Sequence, residues 1–172
     1  MNKTLRYKIT GAGITITGVS GNNKMTGKLV IPDKINGKSV LAIGNGAFDG
    51  CSGLTSVTIP SSITSIGFGS FAHCADLKSM TLPSSLINIG DEAFFACKGL
   101  TSVSIPNSVT EIGDWVFYGC TKLTSVTIPS SVHSIGEGAF DGCTGLRSVT
   151  IPVKLEKIGK NAFPATTKII RK

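Results

Sequence analysis

Cys51, Cys74, Cys97, Cys120 and Cys143 are the residues whose chemistry first demands an account, because thiolates bind zinc, form disulfides and act as nucleophiles. Each lies 23 residues from the next. Zinc sites draw on close pairs such as C-x2-C, and disulfide frameworks usually use an even count, so this spacing suits neither. A step of 23 instead puts one cysteine at the same point of successive units, where the thiols form a stacked column. Neighbouring units can bring two Cα atoms within the roughly 4.4 to 6.8 Å a disulfide needs, but side chains stacked in parallel have the wrong mutual orientation. The expectation is therefore reduced, buried cysteines acting as small hydrophobes, with an occasional bridge as the alternative.

Three smaller patterns also fail as sites. Gly67-Phe68-Gly69-Ser70-Phe71-Ala72 matches the dinucleotide pattern G-x-G-x-x-[GA], but that pattern works between a strand and a helix of a βαβ unit, a context missing here. No acid recurs at a spacing that pairs with His73 or His133, so a Ser-His-Asp arrangement has no support. Asp91-Glu92 reads as a solvated turn pair rather than an acid–base dyad. The expectation is a chain that is not an enzyme, with no catalytic residues, no metal site and no cofactor.

What positions all these residues is an internal repeat. Leu54, Leu77, Leu100, Leu123 and Leu146 follow the step of 23, and Ile169 continues the count. Pro60 to Pro152, Gly67 to Gly159 and Phe71 to Phe163 keep the same step. In each unit Leu54, Val57 and Ile59 point one way and Ser56 and Thr58 the other, the signature of a short strand that proline then stops. A second extended piece, 63–66, ends at Ile66-Gly67, where glycine can turn the chain through positive φ. The Gly-x-x-x-Phe-x-x-Cys stretch is too short for a helix and predicts a 3₁₀ or simple turn. One coil cannot bury its own apolar edge, but about seven stacked coils make a continuous core, a short curved solenoid on the order of 30 Å long.

The expected organisation is one domain over 1–172: an N-terminal cap (1–30), a variant first repeat (31–53), five 23-residue repeats (54–168) and a C-terminal end (169–172). The first repeat carries a five-residue insertion around Asn36-Gly37. Residues 5–19 alternate weakly around Gly11-Ala12-Gly13 and predict a hairpin over the first open edge.

Hydrophobic residues make up 41% and charged residues 16%, which excludes disorder, and no apolar run approaches the roughly 18 to 20 residues of a spanning helix. Met1 to Lys8 is charged and polar, so no secretory signal is expected within this sequence. The net charge of +7 sits at the ends: residues 1–40 hold seven Lys/Arg and one acid, 41–150 four and eight, 151–172 six and one. A mildly acidic middle argues against nucleic acid, and two positive caps disfavour head-to-tail stacking, so a monomer is expected.

The 23-residue unit, the Ile-Pro and Ile-Gly steps, the Ala-Phe pairs (Ala47-Phe48, Ala93-Phe94, Ala139-Phe140, Ala162-Phe163), the closing Cys and the Asn-Gly-Lys insertion resemble the BspA-type leucine-rich repeats of bacteria and some protozoan parasites, over residues 5–170. The resemblance implies a leucine-rich-repeat horseshoe, and surface display or secretion with adhesion to host proteins or other cells. It brings no catalytic residues.

Two features exceed what a scaffold needs. Hydroxyls form rows on the expected concave face: Ser56, Ser79, Ser102, Ser125 and Ser148 in one, Thr58, Thr81, Ser104, Thr127 and Thr150 in the other. They suit pleated surfaces in any case, and otherwise offer a polar ligand face or a water-templating array like that of ice-binding solenoids. Large aromatics also gather in the central coils, Phe68, Phe95, Trp115 and Tyr118, on the convex or lateral side. Phe95 and Tyr118 hold one position of successive coils and are expected to be neighbours. Aromatics dominate interface hot spots, so the ring patch is the first candidate for a protein or glycan ligand and the hydroxyl rows the second.

Overall fold

Alternating Ser/Thr with Val/Ile, stopped by proline every 23 residues, limits each strand to a few residues, so stacking between coils must supply the fold's cooperativity. A computed structural model describes residues 4–20 and 25–172. Of the segment expected to form the cap, 1–3 and 21–24 lie outside the described residues. Sixteen strands make up the described chain, and no helix occurs among the described residues.

A hairpin opens the chain, β1 (Leu5–Ile9) antiparallel to β2 (Ile14–Val19). Two rows of strands then alternate along the sequence. The first row contains β3 (Gly27–Val30), β6 (Leu54–Thr58), β8 (Ser79–Thr81), β10 (Ser102–Ser104), β12 (Ser125–Thr127), β14 (Ser148–Ile151) and β16 (Lys168–Arg171). The second contains β5 (Lys38–Ile43), β7 (Ser65–Ile66), β9 (Asn88–Ile89), β11 (Glu111–Ile112), β13 (Ser134–Ile135) and β15 (Lys157–Ile158), with β2 laid parallel against β5 at its start. Pairing within both rows is parallel, Ser56 with Ser79 and Ile66 with Ile89, so the step of 23 is the height of one coil. The hairpin thus covers the first edge of the second row, and Ile14 and Ile16 of β2 are buried against the core.

The insertion forms its own small hairpin. β4 (Lys34–Ile35) pairs antiparallel with Lys38 and Ser39. Its two-residue turn is Asn36 (φ 50°) and Gly37 (φ 76°), the pair of positive angles that matches strand twist.

The turn segments are not 3₁₀. In the first, Ala47, Asp49 and Cys51 N–H donate back to the carbonyls of Gly44, Gly46 and Phe48, while the intervening N–H groups of Gly46, Phe48 and Gly50 donate to Phe68, Ser70 and Ala72 of the next coil. A 3₁₀ helix would spend every N–H internally, and this ribbon of turns keeps half of them for stacking. The ribbon requires positive φ twice per coil. Gly46, Gly50, Gly69, Gly119, Gly138 and Gly142 meet that need without strain, but His73, Glu92, Ala96, Trp115 and Asn161 do not.

Inside, Phe48, Phe71, Phe94, Phe117, Phe140 and Phe163 stack with centroids 5.2–5.6 Å apart. Beside them run the five thiols. Cys74, Cys97, Cys120 and Cys143 each donate through Sγ to the carbonyl of a phenylalanine 26 residues back, at 3.1–3.3 Å. All five cysteines are buried. Burial pushes the Cys97 thiol up to about 12 and that of Cys74 well up, and a hydrogen bond with Cys143 together with burial raises that of Cys120.

Two departures follow from local sequence. Ile169 does not continue the Leu146 column; it pairs with Val149, a step of 20. Pro164 ends the last turn ribbon straight after Phe163, which removes three residues and the closing cysteine from that coil. Second, both rows part at the same height. Strand pairing runs β3-β6-β8 and resumes at β10, and it runs from β2 to β9 and resumes at β11. Thr101 N–H reaches Lys78 O at only 3.4 Å, where Thr124 reaches Thr101 at 2.9 Å. The turn ribbon stays closed there, with Glu92, Phe94 and Ala96 N–H donating to Asp114, Val116 and Tyr118 at 2.7–3.0 Å. The coil that parts carries Met80 and Leu82 where its neighbours carry Val and Ile, and Met80 is only half buried in its Val-sized slot.

Candidate functional site

The ribbon stacks equivalent side chains one coil apart, so any residue type repeated there becomes a ladder on the surface. The row through residues 49, 72, 95, 118 and 141 reads Asp49, Ala72, Phe95, Tyr118, Asp141. Phe95 and Tyr118 are stacked, with centroids 4.9 Å apart and planes 10° from parallel. His73 closes the other side of Phe95 at 5.4 Å, and its Nδ1 donates to Asp49 Oδ1 at 3.0 Å. The order along this face is thus Asp49, His73, Phe95, Tyr118, Asp141, with a carboxylate at each end. His73 gave no sequence signal. Its partner lies 24 residues away rather than 23, because the positive φ at His73 swings the ring into the neighbouring row.

Trp115 belongs to the row of Glu92, Gly138 and Asn161, and its indole lies against Gly138. Trp115 and Tyr118 are 37% and 36% exposed, so both rings are half available to a partner. Phe68 stands apart. It is 50% exposed in the row of Asn45, Asp91, Asp114 and Glu137, and among the described residues no ring contact joins it to the other three. That row is a ladder of its own, in which Asn45, Asp91 and Asp114 Oδ1 accept the N–H of Phe68, Asp114 and Glu137. The structure brings Phe95, Tyr118 and His73 into contact, holds Trp115 in the same turn as Tyr118 with its indole over Gly138, and leaves Phe68 on a separate line.

On the strand face Thr58, Thr81, Ser104, Thr127 and Thr150 are exposed, but Val30 and Ile170 end their row and Lys28 and Lys168 end the serine row. The parting between β8 and β10 breaks both rows, so the face is not one regular hydroxyl lattice. An open depression of about 660 Å³ lies over it, lined by Met80, Thr81, Ser102, Ser104, Asn107 and Thr127. Another of about 540 Å³ on the lateral side is lined by Glu111, Asp114, His133, Glu137, Glu156 and Lys157. Among the described residues no group of His, Cys, Asp and Glu is arranged to hold a metal ion. No helix of the described residues is long and apolar enough to cross a membrane.

The profile of the BspA type Leucine rich repeat region matches in six copies over residues 38–170. The chain belongs to the BspA-type leucine-rich repeats. Its solenoid is similar to the crystal structure of a Treponema pallidum leucine-rich-repeat protein, with 32% identity, TM-score 0.79 and coverage of 96% of this chain and 83% of that one. It is also similar to a leucine-rich cell surface protein from Faecalibacterium prausnitzii, at 32% identity and TM-score 0.73, covering 96% of this chain. This leucine-rich-repeat chain spans about half, 52%, of that protein. The pneumococcal vaccine antigen PcpA shares the fold at 24% identity and TM-score 0.68, covering 98% of this chain and 47% of PcpA. No curated protein matches the sequence.

Proposed function

We propose that this leucine-rich-repeat chain is a non-catalytic recognition module, displayed at a cell surface, that binds a protein partner through the rings on its turn face. The observation that carries this reading is the stacked pair Phe95 and Tyr118, with Trp115 in the same turn as Tyr118, half exposed on a surface whose other coils present Asp, Ala, Gly, Glu or Asn at the same places. Large rigid rings supply contact area with few rotatable bonds, whereas each hydroxyl of the strand rows trades a water for a partner at a net gain of only about 0.5 to 1.5 kcal/mol. Strained positive φ at Glu92, Ala96 and Trp115 falls in the same coils, with His73 one coil before them, and such strain clusters at working surfaces. Surface display rests on the relative from F. prausnitzii.

The test is affinity capture from cell-surface and extracellular-matrix extracts with three baits: the native chain, the double variant Trp115→Ala/Tyr118→Ala, and the double variant Thr81→Lys/Thr127→Lys. A partner held by the native chain and the lysine variant but lost by the alanine variant, by at least about 30-fold, fits a ring hot spot of roughly 2 kcal/mol. The reverse pattern moves the site to Thr58, Thr81, Ser104 and Thr127.

A further inference from the structure

The turn ribbon loses its regularity one coil beyond the rings. In earlier coils the N–H at this corner donates to the next coil, His73 to Phe95 O, Ala96 to Tyr118 O and Gly119 to Asp141 O, at 2.7–2.8 Å. The next in line, Gly142, has no such partner because Pro164 has already turned the chain away; its N–H donates instead to Asp141 Oδ1 at 2.8 Å. This bond fixes the Asp141 carboxylate at the corner and leaves its second oxygen unclaimed.

Around that carboxylate the side chains form a step. Phe95 covers one face of Tyr118, and the next residue along the row, on the other face, is Asp141, which is too small to cover a ring. Of the nearby positions at this height, Gly142 has no side chain and Gly138 is covered by the indole of Trp115. Trp115 lies against Gly138 with its Nε1 edge toward that glycine. This placement puts the uncovered side of the Tyr118 ring, the indole over Gly138 and the fixed Asp141 carboxylate around one corner, which we read as a shallow notch. The turn segments 90–97, 113–120 and 136–143 carry Asp91, Glu92, Asp114, Glu137 and Asp141 and no Lys or Arg, in a chain whose net charge is +7.

We propose that this notch receives an arginine side chain from the partner. The inference rests on the reading of the rings as the partner's site and names the group that reading leaves open. A planar guanidinium stacks on the free face of Tyr118 while one of its N–H groups donates to Asp141 Oδ2, a combination that an ammonium, which cannot stack, reproduces only in part. A neutral sugar can donate hydroxyls to a carboxylate but carries no charge to pair with the five, so the cluster favours a cation over it. The edge of Trp115 closes the third side and sheds water from the contact.

Trp115 is the chain's one tryptophan, so its emission reports on this notch alone. The probe is an acetylated, amidated hexa-arginine peptide, titrated at about 0.15 M salt so that charges beyond roughly 8 Å are screened. Hexa-lysine and a neutral maltohexaose serve as comparison arms. The expected result is a saturable change in emission with hexa-arginine, at least about fivefold weaker binding of hexa-lysine, and no change with the sugar. Asp141→Asn keeps the acceptor for the Gly142 N–H and removes the charge, and should weaken hexa-arginine about tenfold without altering the melting temperature. Silence toward hexa-arginine, equal response to hexa-lysine with no effect of Asp141→Asn, or a response to maltohexaose alone would each overturn the assignment. If hexa-arginine fails while Trp115→Ala/Tyr118→Ala still abolishes partner capture, the arginine falls and the ring site stands. If hexa-arginine binds while partner capture ignores those substitutions, the ring site falls as the partner's.

Discussion

Trp115 rests on Gly138 of the following coil so closely that a Cβ there would lie 2.5 Å from Cδ1 and 2.8 Å from Nε1 of the indole. Gly138 also has φ +56°, so it serves both the ribbon's left-handed turn and the seat of the ring. Gly138→Ala should therefore cost roughly 1 to 2 kcal/mol for the left-handed conformation and push the indole outward. Thermal melting and the Trp115 emission spectrum check this, with a lower midpoint and a red shift expected. An unchanged spectrum would show that the indole does not use that seat.

Ser70 occupies a place that Ala47, Ala93, Ala139 and Ala162 hold in other coils, and its buried hydroxyl has no hydrogen-bond partner. Burying an orphan hydroxyl costs free energy that a methyl group does not. Ser70→Ala is expected to stabilise the chain by about 1 kcal/mol, a rise of roughly 2 to 4 °C in melting temperature for a chain of this size. A fall in melting temperature would mean the hydroxyl is satisfied in solution.

The repeat, the two strand rows, the N-terminal hairpin and the thiol column were all legible in the sequence, because each depends on residue type at a fixed step. Asn36-Gly37 was legible as the insertion for the same reason. The turn ribbon was mistaken for a possible 3₁₀ turn, since both use short i to i+3 bonds, and only the alternate N–H groups given to the next coil distinguish them. Ile169 looked in step with Leu146 by counting, whereas Pro164 had already shortened that coil. The parting between Thr81 and Ser104 and the contact of His73 with Phe95 depend on side-chain size and backbone angle, which a periodic pattern does not encode. Phe95 and Tyr118 were legible as neighbours; that Phe68 lies in another row was also a matter of counting, but its distance from the rings was not.

A hydrogen bond with Cys143 and burial raise the Cys120 thiol above the ordinary cysteine range, and burial raises Cys74 and takes Cys97 to about 12. Between the unfolded value near 9 and that folded value the native chain holds protons the unfolded chain has lost, so stability is complete below pH 9 and falls as pH rises toward 12. Each such thiol contributes a slope of roughly 1.4 kcal/mol per pH unit across that window. Denaturant titrations from pH 7 to 11 should show the fall, and Cys97→Ala should reduce its slope. Ellman's reagent should find no thiol in the folded chain and all five after denaturation, because each is buried in the core. Fewer than five in unreduced, denatured protein would reveal a bridge.

At the parting both strand rows lose their ladder bonds, and the two stacks on either side stay joined by the turn ribbon, the common core and the bond from Ser108 Oγ to Leu86 O. Ile105 N–H donates forward to Thr127 O, so by alternation the N–H groups of Ser102 and Ser104 point back toward β8, where no strand pairing receives them. Their counterparts one coil on, Ser125 and Thr127, face a paired strand in β10. The second row repeats the contrast: Gly90 and Gly136 N–H donate to Ile66 and Ile112 O at 2.8 and 2.7 Å, whereas Gly113 makes no such bond to Ile89. Local opening draws on the least-bonded junction, so hydrogen exchange should be faster at Ser102, Ser104 and Gly113 than at Ser125, Thr127 and Gly136 by about tenfold or more. Met80→Val and Leu82→Ile together restore the side chains of the neighbouring coils and should slow exchange at those three amides while leaving the turn ribbon unchanged. Equal protection on the two sides of the junction in the native chain would mean that the rows close in solution and the two stacks move as one.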